Sequence, residues 1–210
     1  LINPLYVDFI YDYDTGYPLE SPLGLAYLAS SLRERGFEVG ILDANAEGLS
    51  PEKTAGRILA SDAPIIGFYT TTLTINRVYE LAGKIKLESD KKIIAGGPHV
   101  TFTDERTLKE CPQIDIVVRG EGEQTLCELV EVLKKRGDLS TVSGITYMGD
   151  GKVFTNPDRP LIKDVDSIPP PARDLLPLDL YHPDALYNTG FKGKWYQEIL
   201  ASRGCPYKLS

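Results

Sequence analysis

Through the first two-thirds of the chain, short apolar runs alternate with segments whose apolar residues recur every three or four positions. The runs are Val39-Gly40-Ile41-Leu42-Asp43, Ile65-Ile66-Gly67-Phe68-Tyr69-Thr70, Lys92-Ile93-Ile94-Ala95 and Ile114-Asp115-Ile116-Val117-Val118. Each has the length of a buried strand, and Leu1-Ile2-Asn3-Pro4 reads as the stub of a first one. Between them, Leu25, Leu28, Ala29 and Leu32 fall at i, i+3, i+4 and i+7, which is one face of a helix. Ile58 and Leu59 mark a second helix, and Ile75, Val78, Leu81, Ala82 and Ile85 a third. A short fourth helix is predicted from near Thr103 to near Cys111, and Leu126, Leu129, Val130 and Leu133 mark the fifth. Ser21-Pro22 and Ser50-Pro51 each offer a capping hydroxyl followed by proline at the first helical position, while Gly36 and Gly137 are suitable stops.

Five strands alternating with five helices predict an α/β fold, a flavodoxin-like (Rossmann-like) five-stranded parallel sheet in the order 2-1-3-4-5 with helices on both faces. Past residue 140 the pattern changes. Gly144 to Met148 and Lys152 to Thr155 flank Gly149-Asp150-Gly151, a hairpin with a turn that tolerates positive φ. Ile168-Pro169-Pro170-Pro171-Ala172-Arg173-Asp174 reads as a semi-rigid connector, and Trp195 to Ala201 as one further strand. The expected organisation is a sheet domain over 1–140, a hairpin and proline-rich linker over 141–194, and the start of another domain over 195–210.

The formal net charge of -7 gives no counterion-release energy toward nucleic acid and argues against such a partner. No apolar run is long enough to span a bilayer. The first residues carry neither a charged leader nor a cleavage-site pattern, and they lack an initiator Met, so the chain is expected to be part of a longer protein. Cys111, Cys127 and Cys205 are odd in number and widely spaced, which suits a reducing, cytoplasmic setting better than a disulfide framework.

In an open parallel sheet, ligands sit outside the carboxyl ends of the strands. After the third strand stands Thr70-Thr71-Thr72-Leu73-Thr74, whose hydroxyls either serve a ligand or cap the next helix. After the fourth stands Gly96-Gly97-Pro98-His99, where the missing Cβ atoms admit a flat ligand or simply a tight turn. A bulky residue at Gly97 is therefore expected to block such a ligand with little loss of fold. His99 reads first as a hydrogen-bonding loop residue and second as a metal ligand. After the fifth strand, Arg119 and Gly120-Glu121-Gly122-Glu123 offer ligand contacts or favourable acids at a helix start. The Tyr- and Asp-rich loop from Tyr11 to Tyr17 echoes part of a calcium loop but lacks its downstream Glu.

The hydroxyl and Gly-Gly turns together resemble the cobalamin-binding fold of corrinoid proteins. That family has Ser/Thr-x-Leu after its third strand and Gly-Gly after its fourth, matched here by Thr71-Thr72-Leu73 and Gly96-Gly97. The resemblance implies that the dimethylbenzimidazole tail of cobalamin inserts between these turns. It further implies cofactor contacts from Thr70, Thr71, Thr72, Leu73, Gly96, Gly97, Pro98, His99 and from Gly120 to Glu123 (Gly120, Glu121, Gly122, Glu123). The family's Asp-x-His-x-x-Gly is absent: Leu5 to Ile10 hold no His, and Asp43 to Gly48 keep the spacing with Asn45 in its place, after the second strand.

That departure is similar to cobalamin-dependent radical S-adenosylmethionine (SAM) enzymes, a family with the anaerobic magnesium-protoporphyrin IX monomethyl ester oxidative cyclase among its members. Ser21 to Ala29, Arg119 to Glu123, Ile168 to Asp174 and Ser202-Arg203-Gly204-Cys205-Pro206-Tyr207 resemble stretches of that family in the same order. The resemblance implies that Cys205 is the first iron–sulfur ligand of a Cys-x-x-x-Cys-x-x-Cys motif, whose second position is Leu209 here. The full-length parent would then use a [4Fe-4S] cluster and SAM, in methyl transfer or oxidative cyclisation. This chain would bind cobalamin for its own C-terminal radical SAM domain without catalysing alone. Two other readings stand beside this one: a flavin- or nucleotide-binding flavodoxin-like module, and an interaction domain that kept the fold without the ligand. Leu5 to Ile10 offer no Gly- or Ser/Thr-rich phosphate loop for the former.

Overall fold

The computed structural model describes residues 6–12, 21–181 and 197–204. Five parallel strands, β1 (Tyr6–Tyr11), β2 (Glu38–Asp43), β3 (Ile65–Tyr69), β4 (Lys92–Gly96) and β5 (Ile116–Val118), lie in the order 2-1-3-4-5. The hairpin strands β6 (Ile145–Gly149) and β7 (Lys152–Thr155) continue this sheet antiparallel to β5, so it holds seven strands. Five helices connect or flank the parallel strands: α1 (Leu23–Glu34), α2 (Pro51–Ala60), α3 (Ile75–Glu88), α4 (Pro98–Glu110) and α5 (Gly122–Lys134).

Alternation along each strand sends side chains to two cores. Ile10, Ile66, Phe68, Ile93 and Val117 pack beneath α2, α3 and α4. Val7, Phe9, Ile65, Ile94, Ile116 and Val118 face α1 and α5. Both faces of the central strands are buried, which is why these strands read as continuous apolar runs. Each wholly buried Ile or Leu, such as Ile66 or Leu32, contributes about 1.5–3 kcal/mol.

Several boundaries differ from those expected. The first strand is Tyr6–Tyr11, whereas Leu1 to Pro4 lie outside the described residues. Asp8 had hidden this strand; its carboxylate accepts a hydrogen bond from the Ser61 hydroxyl at the amino-terminal edge of the sheet. Of the residues weighed above for a phosphate loop, Tyr6 to Ile10 are therefore strand, and the loop after it starts at Asp12. That loop also lacks His. Its residues 13–20 lie outside the described residues.

Helix α4 consists of two helical stretches that meet at Thr103: the second is the one expected from there, and a first stretch precedes it from Pro98, because a proline directly after Gly97 suits the first helical position. Thr103 interrupts α4 with a non-helical φ of -133°. Ser50 caps α2 by accepting from the Lys53 amide at 3.3 Å, as the sequence suggests. Ser21 does not cap α1; its amide and hydroxyl both donate to the Glu198 carboxylate, at 3.3 and 3.1 Å.

The proline-rich stretch runs along α1. The Ala172 amide donates to Ala26 O at 2.9 Å, and Arg33 pairs with Asp174 at 2.8 Å. Further on, Tyr181 buries its ring against Ala26 and Leu176 and donates its hydroxyl to Asp43 at 2.7 Å. Burial raises the Asp43 carboxyl above the usual carboxylate range, and burial beside that carboxylate raises the Tyr181 phenol. Residues 197–201 form no strand, contrary to expectation, and Trp195 and Tyr196 lie outside the described residues. No helix among the described residues is long and apolar enough to cross a membrane.

Candidate functional site

On the α1/α5 side, the carboxyl half of the sheet meets a cavity of about 500 Å³. Its origin lies in residues without side chains. Successive positions on this face of the sheet are Phe9 on β1, Gly67 and Tyr69 on β3, Gly96 on β4 and Val118 on β5. A Cβ at Gly67 would stand 2.7 Å from the Phe9 ring, so that ring occupies the space and the floor beside it stays low. At Gly96 a Cβ would meet only Val118, at an ordinary 3.8 Å, and further atoms there would enter the cavity floor. Leu23, Leu25 and Leu28 of α1 and Leu126 of α5 supply apolar walls. Such a volume, mostly apolar with a few polar groups at the rim, is the usual form of a small-molecule site.

The Gly97 turn is fixed by contact with Thr70. Gly97 has φ 111° and ψ 177°, a conformation open essentially to glycine alone. A Cβ on it would lie 2.5 Å from Thr70 O and 2.9 Å from Thr70 N. The expectation that a bulky residue at Gly97 spares the fold is thus corrected: backbone, not ligand, takes that space. The two turns are laced together by Thr70 N to Gly96 O at 2.8 Å, Thr70 Oγ1 to Gly96 O at 2.7 Å and His99 N to Thr70 O at 3.3 Å.

The sequence-derived residues separate into two groups. Gly96, Gly97, Gly120, Glu121, Gly122 and Glu123 line the cavity. Thr70, Thr71, Thr72, Leu73, Pro98 and His99 do not, and the three threonine hydroxyls and His99 Nδ1 have protein partners. Thr70 is fully buried, the Thr71 amide donates to Thr74 Oγ1 at 2.9 Å, and Thr72 Oγ1 is 3.1 Å from His99 Nδ1. Leu73 is exposed beside them. Cys205 lies outside the described residues.

Arg119 serves the fold. It is buried and pairs with Asp158 at 2.8 Å and Asp104 at 3.4 Å, and it donates to Thr146 Oγ1 and Asn156 O. These bonds fasten the β6–β7 hairpin to β5. Arg119→Met is expected to cost about 3 kcal/mol in urea unfolding, because it strands the partly buried Asp104, while ligand retention per folded molecule stays unchanged.

Sequence reasoning missed the rest of the cavity. Its fourth side is formed by Leu200, Ser202, Arg203 and Gly204, far along the chain. Tyr27 and Leu28 of α1 also line it, and a Cβ at Gly122 would stand 2.9 Å from Leu28 Cδ2, so glycine permits the close approach of α5 to α1.

Comparison with known proteins gives the family of the chain. The B12 binding domain family matches residues 15–130. An uncharacterised methyltransferase of Pyrococcus horikoshii is 45% identical over 187 residues, covering 89% of this chain and 39% of the relative. The anaerobic magnesium-protoporphyrin IX monomethyl ester cyclase of Rubrivivax gelatinosus is 36% identical over 157 residues, covering 71% of this chain and 28% of its own length. The chain thus spans well under half of either relative. Among solved structures, the cobalamin-dependent S-adenosylmethionine radical enzyme OxsB with aqua-cobalamin bound superposes with a TM-score of 0.73 at 24% identity, over 83% of this chain and 25% of that one. This last likeness is one of fold.

Proposed function

The chain belongs to the B12 binding domain family, and from that premise we propose that it binds cobalamin for a radical SAM enzyme, with the nucleotide tail in the cavity between α1, α5 and the sheet. One observation carries the reading: the floor lacks a side chain at Gly96 while the surrounding walls are apolar, which suits a flat aromatic group. The residues that would hold the tail are Leu23, Leu28, Gly96, Val118, Gly122 and Leu126, with the Gly97 turn setting the position of the rim.

Bound cobalamin supplies a cobalt centre able to carry a methyl group. This chain's part is to orient the corrin and keep water from the tail. His99 is engaged with Thr72, which favours a hydrogen-bonding role for it over cobalt ligation. The parent reaction would be methyl transfer or oxidative cyclisation, as the names of the relatives suggest; with Leu209 at the second cysteine position after Cys205, the residues of this chain do not complete a cluster motif, and the cluster and SAM are proposed for the full-length parent alone. The sheet domain over 1–140, the hairpin and connector over 141–194 and the approach to a catalytic domain over 195–210 complete that proposal. Cys111 and Cys127 are buried, and burial pushes Cys127 up to about 11, which makes it an unreactive thiol; a cytoplasmic setting is proposed from the odd number and wide spacing of the cysteines alone.

The test is to mix the chain with hydroxocobalamin, desalt it and record the visible spectrum. The protein should retain close to one corrinoid per chain. Gly96→Leu should retain at least about tenfold less while unfolding near the wild-type midpoint, since its Cβ fits and its remaining atoms occupy the floor. A colourless wild type would favour the ligand-free module and overturn the reading.

A further inference from the structure

The segment 197–204 crosses the mouth of the cavity, held at both ends by groups that the cobalamin reading leaves without a task. At one end, the Glu198 carboxylate takes the amide and hydroxyl of Ser21 just ahead of α1, and its carbonyl accepts from Arg173. A carboxylate at a helix amino terminus is favoured by the helix dipole. At the other end, Arg203 lies 2.6 Å from Glu123 Oε1 and 3.7 Å from Glu121 Oε1, in the first turn of α5 and just before it. Its guanidinium also stands 5.3 Å from the centroid of the Tyr27 ring, a cation–π contact with α1. Glu123 is buried, and a buried carboxylate demands a cation. The second Glu121 oxygen already accepts from the Ile162 amide. Between the two anchors, Leu200 and Ser202 face the cavity.

We infer that Arg203 is a positioning residue whose grip on Glu121, Glu123 and Tyr27 makes segment 197–204 a closing wall of the cavity. The inference rests on the cobalamin reading for the identity of what is enclosed. It gives the Gly120–Glu123 turn a different task from corrin contact, namely to anchor a strap. Because Arg203 precedes Cys205 by two positions, the same grip fixes where the chain sets out from the cavity rim. A planar fork reaching two carboxylates and an aromatic face at once is work for arginine, and lysine replaces it only in part.

Limited chymotryptic cleavage after Leu200, with the product identified by mass, reads the strap in the ligand-free chain. The cobalamin release rate, followed by visible absorbance against excess competitor, reads its effect on the ligand. Arg203→Ala and Glu123→Gln should each speed that cleavage about tenfold, with Arg203→Lys in between, as expected for a pair between surface and core. Arg203→Ala should also speed cobalamin release about tenfold. Unchanged cleavage in Arg203→Ala overturns the clasp. Faster cleavage with unchanged release overturns its role as a wall. A wild type that binds no cobalamin sinks the proposed ligand instead, and the cleavage comparison then still decides the clasp.

Discussion

Cobinamide, the corrinoid without a nucleotide tail, is expected to bind this chain at least about 100-fold more weakly than cobalamin. An aromatic group of that size buries about 150–250 Å², or roughly 4–6 kcal/mol of gross transfer energy. Ordering the tail and the strap consumes part of this, and about 3 kcal/mol should survive in the measured difference. Competition titrations followed by visible absorbance give the ratio directly. Equal affinities would mean that the cavity does not receive the tail. An intermediate affinity is expected for a corrinoid whose lower base is adenine. Gly96 O already accepts from Thr70, and Gly97 O from Thr101 at 2.9 Å, so these carbonyls offer little to an exocyclic amine at an apolar wall. An unsatisfied amine there costs about 1–3 kcal/mol.

Gly97→Ala is expected to destabilise the protein by about 4 kcal/mol. Two costs combine. A residue with a side chain at φ 111° and ψ 177° carries about 1–3 kcal/mol of backbone strain. Its Cβ would also press within 2.5 Å of Thr70 O, and overpacking adds about 1–3 kcal/mol. Neither neighbour can retreat cheaply, because Thr70 N is bonded to Gly96 and Thr70 O to His99. Against a total stability of about 5–15 kcal/mol, such a loss brings the fold near its limit. Urea unfolding measures it, with Gly96→Ala as the comparison that should stay within about 1 kcal/mol. A loss below about 1 kcal/mol for Gly97→Ala would show that the turn relaxes freely.

These adjacent glycines illustrate what the sequence exposes and what it conceals. Their position after a strand marked a place where backbone must come close to something. Only the coordinates separate the two closures: Gly97 against Thr70, and Gly96 over the cavity. The parallel order was legible because β3 and β4 are buried on both faces and stand between helical periodicities. β1 was not, since Asp8 interrupts its apolar alternation for a contact with Ser61, 53 positions away. The threonine cluster suggested donors for a ligand, yet Thr70, Thr72 and Thr74 find protein partners supplied by the next turn and by Thr71. The fourth side of the cavity escaped notice for a similar reason. Arg203 and Glu123 meet only after the chain has crossed the hairpin and returned along α1, and no local spacing records such an encounter.

The docking of Tyr181 on Asp43 bears on how this domain can be shortened. A chain ending after β7 would keep every described strand, yet it would remove Leu176 and Tyr181, each at 6% exposure, from Ala26 of α1 and Ile41 of β2. β2 is an outermost strand, and an uncovered apolar strip next to an outermost strand invites pairing with another copy. A shortened chain meant to keep that strip covered is therefore expected to need residues up to Tyr181.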